Sequence, residues 1–179
     1  SMSNPGLTIL PTHRLIFDYK KMGADEILAK AAEFFEIDEV VSRAALESKM
    51  ESAVGKMGCF GLATKDRFHF LTLKSASIME TLAPSRAQVW QTLDASILHK
   101  LLLEHVMEIS EATIDAIEGI EYLRETDLGY DRVAAEETAL LFIVNATRME
   151  QITACTEMGE KMPQKSTDFY PKVVTGLAI

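Results

Sequence analysis

The spacing of apolar residues along this chain changes period several times, and each change marks a boundary between predicted elements. Residues 7 to 19 alternate loosely: Leu7 and Ile9 come first, then Leu15-Ile16-Phe17 beyond a Pro11-Thr12-His13-Arg14 corner. A proline at that corner predicts a bent or interrupted strand. Beyond the break at Gly23, Ile27, Leu28, Ala31, Ala32, Phe34 and Phe35 recur at helical spacing, and a more polar helical stretch follows from about 42 to 53. Two helices are thus expected after the first strand. From Cys59 the period becomes two, with Phe60 and Leu62, a Thr64-Lys65-Asp66-Arg67 corner, then Phe68 and Phe70 interleaved with Leu71 and Leu73. That pattern predicts a hairpin.

A polar connector containing Pro84 leads to Asp94, a residue suited to capping the amides of the helix that follows. This helix carries Ile97, Leu98, Leu101, Leu102, Leu103 and Val106, is the most apolar of the chain, and is expected to be central. Residues 120–123 predict a short strand, 130–138 a helix, and the Ala-Leu-Leu-Phe-Ile-Val run at 139–144 a strand buried on both faces. Thr147 and Glu150 have the spacing of a reciprocal capping box, and Gly159 stands where a left-handed residue would close the same helix. A last strand is expected near 173–179. Together these elements predict an α+β fold, a mixed sheet layered with helices in one compact domain over residues 1–179.

Composition narrows the partners. No apolar run is long enough to cross a bilayer, so no membrane contact is expected. A formal charge of −9 opposes general attraction to a phosphodiester backbone, so nucleic acid is not the expected partner. Cys59 and Cys155 are isolated in sequence, which suits buried, reduced thiols in a cytoplasmic protein. The Asn145-Ala146-Thr147 triplet matches a glycosylation acceptor but falls where a strand hands over to a helix, and it is given no weight.

The charge is unevenly spread. Residues 1–160 hold 15 Lys and Arg against 26 Asp and Glu, a balance of −11, whereas residues 161–179 hold 3 Lys against 1 Asp, a balance of +2. The basic stretch includes Met162-Pro163-Gln164-Lys165-Ser166-Thr167-Asp168-Phe169-Tyr170-Pro171-Lys172, a loop stiffened by prolines. Lys165-Ser166-Thr167 invites comparison with a nucleotide-binding P-loop, but Pro163 and Gln164 stand where glycine is needed, and the segment follows a predicted helix instead of a strand. A different anion site remains open, in which Lys165 and Lys172 supply charge and Ser166 and Thr167 supply hydroxyls. The competing reading is a structural loop with Phe169 and Tyr170 packed on the core.

His13 and Arg14 form a second candidate, an imidazole beside a guanidinium that can fork onto phosphate or carboxylate; pairing with backbone carbonyls or acidic side chains is the plainer alternative. His99 and His105 lie six apart on one helix, which does not set two ligands on one face, and no paired Cys or His motif occurs. No metal is therefore expected. No Gly-x-Ser-x-Gly motif occurs, and Asp25-Glu26 and Glu136-Glu137 are read as solvated helix faces. No catalytic residue is assigned.

Three strings carry a resemblance: Leu10-Pro11-Thr12-His13-Arg14, Leu93-Asp94-Ala95-Ser96-Ile97-Leu98-His99, and residues 162–172 followed by Thr175-Gly176-Leu177. Together they resemble the prokaryotic domain-of-unknown-function family numbered one thousand and fifteen. Members of that family are usually about twice this length and carry an upstream Asp-Gly-His-His-Arg motif similar to a box of ParB-like proteins. That motif is absent here, and Ser1-Met2 has the look of a tag remnant, so the chain is expected to be the C-terminal half. The ParB-like superfamily includes free-serine kinases, sulfiredoxins and proteins labelled as chromosome-partitioning factors, and the family's genes often lie near serine biosynthesis.

The resemblance thus implies a small-molecule phosphotransferase whose phosphorylated or anionic ligand meets His13, Arg14, Lys165, Ser166, Thr167, Tyr170 and Lys172. Its partners would be the upstream half of the same protein and an anionic small molecule. The cofactor is left open, a nucleotide with magnesium in the full-length protein being compatible. Asp168 departs from the family pattern and is expected to pair with Lys165 or Lys172. The alternative is a non-catalytic structural or homodimerising domain, and a partitioning DNA-binding role lacks any basic recognition element.

Overall fold

The computed structural model describes residues 8–17, 22–116, 119–135 and 139–171. Its strands are β1 (Thr8–Leu10), β2 (His13–Ile16), β3 (Phe35–Val40), β4 (Cys59–Ala63), β5 (Phe68–Leu73), β6 (Ile120–Leu123), β7 (Leu140–Ile143) and β8 (Asp168–Tyr170). Its helices are α1 (Ala24–Ala31), α2 (Arg43–Ser52), α3 (Ser77–Leu82), α4 (Gln88–Gln91), α5 (Asp94–Ile97), α6 (Glu111–Ala116), α7 (Thr126–Ala135) and α8 (Met149–Glu157). Six strands pair in the order β3-β5-β4-β7-β2-β6, and β1 pairs with β8 in a separate ribbon. The fold is α+β, a sheet layered with helices in one domain. Where a mixed sheet is expected, every pairing among the described residues is antiparallel.

Alternation along the central strands sorts side chains into two cores. On one face Ile16, Phe60, Leu62, Leu140 and Phe142 pack beneath α1, α3 and the α5 region. On the other, Leu15, Ala63, Leu141 and Ile143 meet Leu46 and Met50 of α2 with Tyr130 and Val133 of α7. Each fully buried Leu or Phe contributes about 1.5–3 kcal/mol, so both layers are held firmly. Because β7 lies between β4 and β2 with helices on both sides, all four of its residues are buried, which accounts for its unbroken apolar run.

Several boundaries differ from expectation. The helical period after Gly23 stops at Ala31, and Phe35 opens an edge strand instead of closing a helix. Its exposed acidic positions, Glu36, Asp38 and Glu39, hide the period of two. The polar connector around Pro84 contains α3 and α4. Asp94 is the first residue of α5, not its cap, and its carboxylate accepts from the Gly58 amide at 2.7 Å.

At α8 the reciprocal contact lies one residue later than expected: the Arg148 amide donates to Gln151 Oε1 at 2.9 Å, while the Thr147 hydroxyl donates to the Ser166 carbonyl at 2.8 Å. Gly159 does adopt the left-handed conformation, with φ +68°. The strand expected at 173–179 and the Glu136-Glu137 pair lie outside the described residues.

Candidate anion site at the junction of β2 and the 161–171 loop

His13 and Arg14 are consecutive on β2, and consecutive strand residues face opposite sides of a sheet. They therefore do not converge on one ligand. Arg14 shares its face with Tyr122 and Phe142, its cross-strand partners on β6 and β7, whereas His13 looks toward a cleft on the other face. The Nδ1 of His13 accepts from the Val144 amide at 3.3 Å, which fixes the imidazole proton on Nε2. Burial, reinforced by the Arg14 charge, lowers the His13 pKa to about 4, so the ring is neutral at pH 7.

Arg14 is the most informative residue of the structure. It is 1% exposed, and its guanidinium donates to the Thr12 carbonyl, to His99 Nε2 at 3.3 Å and to the Lys165 carbonyl at 3.2 Å. Its Cζ lies 5.2 Å from the centre of the Tyr122 ring. No carboxylate pairs with it among the described residues, and its Nε is buried without a partner. Burial lowers its pKa to about 10, so it stays charged at pH 7. A buried cation without a counterion costs several kcal/mol, which neutral carbonyls and a ring only partly offset.

His99 accepts from this cation and must be neutral; burial first, then the charges of Arg14 and Lys100, lowers its pKa to about 3. It belongs to a wide-turned stretch, Leu98–Val106, that continues α5 as a π-helix, a geometry that recurs at functional sites. The central apolar helix expected from the sequence is thus present, and its unusual pitch is not visible in the pattern of leucines.

The loop folds around the same point. The Ser166 amide and hydroxyl both donate to the Pro163 carbonyl, and Lys165 is forced to φ +56°. Ser166 is buried and its proton is occupied within the loop, so it is placed to shape the turn rather than to meet a ligand. Lys165 is exposed, Thr167 half-buried, and Tyr170 is 58% exposed on β8 opposite Thr8. Asp168 binds Arg124 through both oxygens, correcting the expected pairing with a loop lysine. Lys172 lies outside the described residues.

Where the loop begins, His99 forms one wall of a cleft of about 160 Å³ shared with Trp90, Lys100, Lys161, Met162 and Gln164. Lys100 there ion-pairs with Glu104 at 2.8 Å and Glu111 at 3.3 Å. The hydrophobic and charged residues of this cleft escape a motif reading because they come from three separate segments. The signal available was the string ending in His99, which carries part of the family resemblance, whereas the spacing of His99 and His105 speaks only to metal ligation. Among the described residues no group of three or more His, Cys, Asp or Glu is placed to hold a metal ion. No described helix is long and apolar enough to cross a membrane.

The fold and this site define an α+β domain that clamps its own basic loop with a buried arginine. A family model described as protein of unknown function (DUF1015) matches residues 1–96, more than half of the 179-residue chain, and the chain belongs to this family. The match takes in the Leu10 to Arg14 string and ends before residues 162–172.

Two solved structures share the fold. A glutamate-to-alanine mutant of free serine kinase in complex with ADP superposes with a TM-score of 0.52, and a glutamate-to-glutamine mutant in complex with AMP with 0.51. Each is 14% identical to this chain, and each match covers 94% of this chain and 56% of the other. The chain therefore spans little more than half the length of those structures. No curated protein matches.

Proposed function

We propose that this chain is the loop-bearing domain of a ParB-like small-molecule phosphotransferase, in which the 161–171 loop and the cleft beside His99 receive a phosphorylated or otherwise anionic ligand. The observation that carries the reading is Arg14: a buried guanidinium with no carboxylate among the described residues is tolerated best where a negative charge arrives from outside. In this scheme Arg14 is a positioning residue that holds the Lys165 carbonyl, while Lys165 and Lys161 offset ligand charge. The likeness to free serine kinase structures holding AMP and ADP supports the phosphotransferase reading. Transfer itself is assigned mainly to an upstream half, so the isolated chain is expected to bind without turnover, in a cytoplasmic setting.

The test is calorimetric titration of the chain with phosphate, phosphoserine, ADP and ATP, with and without magnesium. Lys165→Ala is expected to weaken anion binding by about 1.5–3 kcal/mol, the usual contribution of a hydrogen bond to a charged group. Arg14→Met, which keeps apolar bulk beneath the loop, should weaken it as well. A purely structural loop predicts the reverse pattern, with stability altered and no anion bound by any variant.

A further inference from the structure

On the sheet face opposite Arg14, the turn after α2 and the turn between β7 and α8 enclose two hollows. The smaller, about 30 Å³, is lined by Gly55, Lys56, Asp94, Asn145, Arg148 and Gln151. The larger, about 600 Å³, is walled by Val54, Ile143, Val144 and Met149, with His13 at its side. Asn145, Ala146 and Arg148 border both, so the two are compartments of one cleft, polar at one end and mainly apolar at the other. The larger compartment falls in the size range of small-molecule sites.

Many cations of this acidic chain are already claimed by carboxylates. Arg43, Lys49, Arg67, Arg86, Lys100 and Arg124 each ion-pair with a carboxylate. Lys56 and Arg148 are both exposed, and among the described residues neither lies within ion-pair distance of a carboxylate. Asp94, a carboxylate at the edge of the same compartment, feels the Arg148 charge but is engaged by the Gly58 amide at 2.7 Å and so pins the turn that carries Lys56. Gly55, at φ +86°, supplies the left-handed turn beside the guanidinium, and a side-chain carbon there would only touch Arg148 Nη1, at 3.8 Å. Beside them the first turn of α8 presents the Met149 and Glu150 amides, which have no acceptor within the helix.

We propose that this cleft is a second anion site that takes an organic phosphate of nucleoside monophosphate size. Its phosphate lies between Lys56 and Arg148 at the start of α8, and its apolar body lies against Val54, Ile143 and Met149. Phosphate suits the polar end because two point charges and helix-start amides complement a compact dianion. The neutral His13, its proton on Nε2, offers a donor to the sugar or base side of the ligand. The inference rests on residues distinct from the loop site and does not require the reading given for that site.

The test is titration of the chain with AMP, inorganic phosphate and adenosine, with backbone amide shifts mapped by NMR. AMP is expected to bind more tightly than either fragment, with shifts concentrated at residues 54–58 and 144–151. The double variant Lys56→Gln, Arg148→Gln should lose AMP affinity by at least about tenfold, and because both side chains are exposed it should remain folded. AMP affinity equal to that of the parent in the double variant overturns the proposal. So does affinity lost in Lys165→Ala but retained in the double variant, which moves the ligand to the loop. AMP binding no tighter than inorganic phosphate removes the apolar compartment from the site.

Discussion

Replacing Lys165 by glycine sets stability against binding. Lys165 sits at φ +56°, where a side chain bearing a β-carbon is strained by roughly 1–2 kcal/mol relative to glycine. Glycine gives back part of that relief, about 0.5–1 kcal/mol, because its unfolded chain is freer. The net expectation is a gain of about 0.5–1 kcal/mol. Equilibrium urea denaturation should show this as a midpoint raised by about 0.3 M with an unchanged slope, taking about 2.5 kcal/mol/M as the slope. Anion titration of the same variant should show at least about a tenfold loss of affinity, since the charge is gone. Strained side chains that persist against such a gain concentrate at binding sites, which is why the opposite signs matter. A variant that loses stability while binding anions as before would refute the reasoning, and Lys165 would then be a structural residue of the turn.

Two further outcomes follow from the cores beneath the sites. Gly58 has φ +71°, and a β-carbon there would lie 2.5 Å from Leu73 Cβ, so Gly58→Ala should cost at least about 2 kcal/mol by urea denaturation; a cost below about 1 kcal/mol would show that the turn can relax. Asp94 has its pKa raised from 3.8 to about 6, mainly by burial, with the Gly58 amide and Arg148 acting in the opposite sense. Between those values the folded chain keeps a proton that the unfolded chain has released, so stability should fall by about 3 kcal/mol as pH rises from about 4 to 6 and then level off. Asp94→Asn, which keeps an acceptor for Gly58, should flatten that slope when stability is measured across the same pH range.

The parts of this fold that were legible in the sequence are those whose period is set by burial on a known side. The Ile120–Leu123 and Leu140–Ile143 strands and the Cys59–Leu73 hairpin fall where the apolar pattern puts them, because each is packed against helices along its length. The edge strand Phe35–Val40 was hidden by its position: Phe35 and Ile37 pack on one face and Val40 on the other, and exposed acidic residues on both faces blur the alternation. Capping at α8 slipped by one residue because Thr147 had a tertiary acceptor in the Ser166 carbonyl that no local rule could supply.

The site shows the same divide between local and tertiary information. The β1–β8 ribbon and the bond from Arg14 to the Lys165 carbonyl bring residues 8–14 together with residues 165–170. That His13 and Arg14 could share one ligand was ruled out by strand geometry alone, once the pair was placed on β2 rather than at a corner. Adjacent residues on a strand serve opposite faces, and here the two faces differ in kind. Arg14 is sealed beneath a loop and donates to His99 and the Lys165 carbonyl, whereas His13 borders an open cleft that Arg148 also lines. The His13-Arg14 pair thus lies on the seam between the two faces of the sheet.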